Sequence, residues 1–190
     1  MRSLRLAGVL VALAACRNTR SDPPQPPAVA ALHALRDAID RDDPAGAVDP
    51  VTLARAELLE RLAHMHDLQD ERDAVGITED GWRRSLATID ATYNAAGLRR
   101  EFLAARALLG SGRCAQTAPA PLPDAIAPVT SRRPTWPAFV ETDVRAPIVR
   151  RAAGARAGEF RCEGASRAFR AVFLPKESGD GLVVARITAR

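Results

Sequence analysis

Three histidines and three cysteines carry most of the chemistry open to this chain. His64-Met65-His66-Asp67 is the densest group, with Asp70, Glu71 and Asp73 close behind, and a metal ion is what such a set suggests. On a helix, residues two apart point about 200° from one another, so His64 and His66 cannot share an ion, whereas His66 and Asp70 lie on one face. That pair is an incomplete site, because structural zinc takes four ligands and catalytic zinc three with a water. His33 and another acid would have to converge on it. The expected reading is a charged helix face with partly buried histidines and no cofactor. Cys114 and Cys162 have neither a histidine nearby in sequence nor a Cys-x-x-Cys partner, so a reactive thiol has little support beyond Arg113 and Arg161 beside them. Hydrolase motifs are missing from the sequence, and Gly110-Ser111-Gly112-Arg113 lacks the lysine and spacing of a phosphate loop. Asp42-Asp43 and Glu79-Asp80 read as helix-end acids, and eight aromatic residues are few for the sugar cleft that a carboxylate pair would need.

Cys16 belongs to a different context. Arg2 and Arg5 precede ten uncharged, mostly apolar residues at 6–15, and small residues stand just before the cysteine. Positive charge, short apolar run and small residues together read as a secretory signal, too short to span a bilayer. Leu13-Ala14-Ala15-Cys16 resembles the lipobox of bacterial lipoproteins. The resemblance implies that the Cys16 sulfur receives a diacylglyceryl group, that residues 1–15 are removed, and that palmitate and other acyl chains hold the protein on a membrane. It places the folded part at the periplasmic face of the cell envelope. Arg17, where some lipoproteins carry aspartate, favours the outer membrane over the inner. With Cys16 committed to lipid, Cys114 and Cys162 remain, and in an oxidising compartment they are expected to pair.

Charge is unevenly distributed. The net +4 conceals −6 over residues 21–110 and +6 over residues 111–190, so the halves should attract one another or different partners. Arg132, Arg133, Arg150, Arg151, Arg156, Arg161, Arg167 and Arg170 could neutralise phosphates, but export argues against nucleic acid. Anionic lipid headgroups, an acidic envelope polymer, an acidic envelope protein or the acidic half of the chain itself are the expected counterparts.

Periodicity then supplies the elements that would position these residues. After the leader (1–15) and a proline-rich tether (16–27), the tether reaching roughly 30 Å if extended, a helical region is expected over 28–110. Its helices are read at 28–41, from Pro50 behind an Asp49 cap, and from Thr78 to Leu109 with a weak point at Ala95-Ala96-Gly97. Six prolines make regular structure improbable over 111–137. Over 138–190 strands are expected at 139–149, 160–162, 168–174 and 181–188. The fold class is therefore α+β, a three-helix region packed with a small C-terminal antiparallel sheet.

Phe160-Arg161-Cys162-Glu163-Gly164, followed by residues 169–173 and a glycine-containing turn, is similar to the cysteine-bearing strand and hairpin of membrane-bound lysozyme inhibitors, which are small lipoproteins. The long helical region is foreign to that family, and no functional residue carries over. Helices first and strands last also resembles the cone-shaped α+β fold of nuclear-transport-factor-2-like proteins. The sequence thus points to a lipid-anchored envelope protein that binds or assembles. The alternatives are an envelope enzyme or metal-binding protein built on His33, His64 and His66, or a lysozyme-inhibitor-like lipoprotein.

Overall fold

The computed structural model describes residues 25–68, 78–126, 136–177 and 180–190, with backbone alone over 63–68. Helix α1 (Pro27–Asp40) opens on a proline whose missing N–H costs nothing in a first turn. Its inward stripe is Val29, Leu32, Leu35 and Ile39, and Leu32 and Leu35 are wholly buried. Asp42, in the left-handed region at φ 63°, turns the chain towards α2 (Pro50–Leu68). Asp49 caps that helix, its Oδ1 accepting the Thr52 N–H at 3.0 Å, as expected from sequence.

The single helix expected over 78–109 is two, α3 (Glu79–Thr92) and α4 (Ala95–Leu109). Each has its own side-chain cap. Thr78 accepts from the Gly81 N–H at 3.1 Å, and Asn94 accepts from the Gly97 N–H at 2.9 Å. The break therefore falls at Tyr93-Asn94, and Gly97 lies inside the second helix. A Cβ on Gly97 would stand 1.8 Å from the Thr92 carbonyl oxygen, so the glycine admits a close approach between consecutive helices.

Two further expectations are corrected. Within the stretch expected to lack regular structure, Cys114–Pro119 forms β1 and Asp124–Ile126 a 3-10 turn. Strand β1 lies at a sheet edge, where Pro119 at its end is tolerated. The strand expected at 139–149 is helical: a π-helical turn, Val140–Arg145, leads into α5 (Ala146–Ala152). Val140, Val144 and Ile148, four residues apart, are its buried face, a helical spacing that partial alternation obscured. Pro147 in the first turn of α5 would also be barred from a central strand.

Strands β2 (Arg156–Cys162), β3 (Phe169–Pro175) and β4 (Leu182–Ala189) complete a four-stranded antiparallel sheet in the order β1-β2-β3-β4. The molecule is α+β, with most helices in the N-terminal part and the sheet in the C-terminal part. Both faces of the sheet are covered. Phe160, Phe169, Ala171, Phe173 and Val184 meet α1 and α4 on one side, through Leu35, Phe102 and Leu109 among others. Val172, Leu174, Val183 and Ala185 meet Leu53 of α2 and Ile126 on the other. A third cluster, with Leu59, Trp82, Val140 and Val144, joins α2, α3 and the 138–152 helix outside that layer. At the β4 edge, Val48 forms a parallel bridge to Val184 and the Asp49 N–H donates to the Val184 carbonyl at 2.9 Å, closing part of a rim that would otherwise invite pairing.

Candidate functional site

Cys114 and Cys162 stand directly opposite one another on β1 and β2 and form the expected disulfide, with Cα atoms 3.9 Å apart. Both are buried under α1 and α4. His33, on α1, is seated beside them without touching sulfur: its Nε2 accepts the Cys114 backbone N–H at 3.2 Å, and its Nδ1 lies 3.1 Å from Gln25 Oε1. With Nε2 accepting, Nδ1 is the nitrogen that carries hydrogen and donates to Gln25. Burial first, then the charge of Arg36, holds His33 below the ordinary histidine range, and Asp37 opposes the shift. Both ring nitrogens are occupied by protein groups, which makes His33 a strut between the chain's entry and the disulfide strand. The side chains of His64 and His66, and all of Asp70 and Cys16, lie outside the described residues. Among the described residues no group of three or more His, Cys, Asp or Glu could hold a metal ion.

Sequence reading missed two charged joints. In the first, Arg186 of β4 forms a two-pronged pair with Glu57 of α2, at 2.6 and 2.9 Å, where Glu57 stands one turn beyond the buried Leu53. Tyr93, after α3, and Glu101, on α4, lie in the same electrostatic field. Desolvation raises the pKa of both; Glu101 pushes Tyr93 further the same way, while Arg186 counteracts the rise in each. Donation to the Glu57 carboxylate raises that of Arg186. The guanidinium fork is thus filled by a protein carboxylate. In the second joint, the buried Arg151 of α5 pairs with Asp49, bonds Thr52 Oγ1 at 2.9 Å and donates through Nε to the Pro175 carbonyl at 3.0 Å. Each joint ties a cation of the basic half to a carboxylate of the acidic half, so part of the charge asymmetry is satisfied within the molecule.

Aromatic side chains leave little for a binding platform. Trp82, Phe102, Phe160, Phe169 and Phe173 are among the most deeply buried residues, Trp136 packs edge-on to Trp82 at 5.2 Å, and Phe139 lies beneath Arg83. Three surface clefts are described. The largest of the three, about 560 Å³, lies between the α1–α2 turn and α4 and is mostly apolar; the Arg99–Asp42 pair at 2.6 Å takes up two of the charges on its walls, and Asp43 and Arg100 are the other two. The second, about 320 Å³, has Pro26, Pro27, Gln116, Arg156 and Phe173 around it, and the third, about 270 Å³, includes Glu101, Arg167 and Ile187. The third brings a hydroxyl, a carboxylate and a guanidinium to one cleft, those of Ser166, Glu101 and Arg167, but no hydrogen bond joins Ser166 to Glu101 among the described residues. No helix among the described residues is long and apolar enough to cross a membrane. Compared with known protein families, curated proteins and solved structures, the chain matches none.

Proposed function

We propose that this chain is a lipid-anchored cell-envelope protein that acts by binding or assembly rather than by catalysis. One observation carries the reading: the buried Cys114–Cys162 disulfide follows a leader ending in Leu13-Ala14-Ala15-Cys16, so the third cysteine stands where an acyl acceptor would stand. A disulfide persists in an oxidising compartment, and the leader supplies the route to one. Acylation supplies the membrane contact, since each buried methylene contributes about 0.8 kcal/mol and more than one chain is needed for stable attachment. The fold then works in water beside the lipid, outer membrane favoured, with an envelope protein or acidic polymer as partner. The Arg186 fork, taken up by Glu57 and so closed to a substrate anion, favours binding over turnover.

Radiolabelled palmitate tests the anchor: it should enter the wild-type chain and fail to enter Cys16→Ser. Equal incorporation, or none into the wild type, removes the proposal. Chemical cross-linking in intact envelopes, followed by purification of the acylated protein, should recover a stoichiometric partner. Recovery of the protein alone with a retained metal or substrate would favour an enzyme.

A further inference from the structure

We propose that the end of the fold at which α1 begins faces the membrane, and that Arg150, Arg156 and Lys176 bind anionic phospholipid headgroups there. The proposal rests on acylation of Cys16 and adds an orientation and a lipid class to it. Pro26 and Pro27 share a cleft with Arg156 and Phe173. Arg156 opens β2 opposite Phe173 near the end of β3, and Lys176 follows directly after Pro175, its N–H bonded to the Gly181 carbonyl at 3.1 Å. Arg150 lies in the last turn of α5, whose next residue, Arg151, donates to the Pro175 carbonyl. The three cations therefore gather at the end where the chain enters the fold. All three are exposed, and none has an ion-pair partner among the described residues. Of the acids nearby, Glu177 reaches Arg151 at 3.5 Å and Asp180 sits in the same turn. Helix α1 starts there without a side-chain cap, so the positive end of its dipole adds to the field.

Chain length and charge name the occupant. Cys16 stands ten positions before Pro26, a reach of at most about 35 Å, and the interval carries Arg17 and Arg20 against Asp22. The far end of α1 lies roughly 20 Å further along the helix axis. There the carboxylates of Asp40 and Asp42 are tied to Arg106 and Arg99. Of the described residues, Arg41 and Arg100 are unpaired at that far end too, with Asp43 among them. The arm to Cys16 leaves from the near end, however, so the unpaired cations closest to the anchor orient the fold towards an anionic surface, where each cation shifts the docked population about fivefold.

The test uses the acylated full-length product in vesicles of anionic phospholipid and, separately, of neutral phospholipid, read by amide hydrogen exchange. Exchange over 26–30, 150–157 and 173–177 should slow roughly tenfold in anionic vesicles alone, and salt near 0.5 M should abolish the effect. Arg150→Glu/Arg156→Glu/Lys176→Glu should lose this protection while keeping the palmitate label, and the equally charged control Arg41→Glu/Arg84→Glu/Arg100→Glu should keep both. The triple glutamine version, with disulfide and melting temperature retained, guards against loss of folding and should lose protection too. Equal loss in both glutamate triples, protection spread over 37–43 and 95–103, or none at all would overturn the orientation while leaving the anchor standing. Absence of palmitate from the wild type would remove the anchor and the orientation together.

Discussion

His33 is the side chain through which pH reaches the core. Burial disfavours its charged form, so its folded pKa lies below the unfolded value of about 6.5. The unfolded chain then binds the proton more readily, and stability falls as pH drops through about 6.5 towards the lowered folded value. Above that window the contribution is full. A melting temperature lower at pH 5 than at pH 7.5, with the difference reduced in His33→Leu, is the expected result; equal slopes in both proteins would clear His33 of the effect. Arg151 should show the larger mutational cost. Its removal takes the counter-charge from Asp49, which keeps only Thr52 as donor, and the side-chain donor from the Pro175 carbonyl, so Arg151→Ala should lose about 3 kcal/mol in urea denaturation, and Arg151→Lys should recover only part of it. Neither joint was legible in the sequence. Arg186 and Glu57 are 129 positions apart, and one charge on each of two elements leaves no local pattern.

The elements were legible where a cap or a stripe marks them. Asp49 with Pro50, the apolar steps of α1, and Phe169, Ala171 and Phe173 on one side of β3 all follow from spacing. The α3–α4 break was displaced because Ala95-Ala96-Gly97 looks like the weak point, whereas the deciding signal is Asn94, a cap residue behind Tyr93. Asn94→Ala should therefore cost about 1 kcal/mol by chemical denaturation. Gly97→Ala should cost more, despite alanine's better helix propensity, because its methyl group meets the Thr92 carbonyl. If Gly97→Ala proves neutral or stabilising, the close approach of the two helices is wrong. Strand β1 escaped notice because Cys-Ala-Gln-Thr-Ala-Pro has little β character of its own; pairing with β2 and the disulfide holds it.

At the scale of the whole molecule, the disulfide fastens the strand that follows the helical region to the middle of the sheet, across 48 positions. Limiting the unfolded chain by a loop of that length is worth about 4 kcal/mol, so Cys114→Ala/Cys162→Ala should lower the unfolding free energy in urea by a corresponding amount; a loss under about 1 kcal/mol would show that the native packing carries the strand unaided. The opposed charges of the two halves predict a second whole-molecule effect. Salt should destabilise the fold modestly through the Arg186–Glu57 joint, which is partly in water, and Glu57→Gln should blunt that dependence. The halves were visible as a charge imbalance, and so was the α+β class. Which residues join them depends on the sandwiching of the sheet between α1 with α4 and α2 with α5, a relation between distant elements.

Pro26 is only three positions before Val29, the first buried residue of α1. Any tension on the N-terminal arm is delivered with almost no slack to a helix whose Leu32 and Leu35 are locked into the sheet. Such a load meets packed side chains within the first turn of the helix. With Cys16 acylated as proposed, a body moored in this way would resist being pulled apart by its own leash.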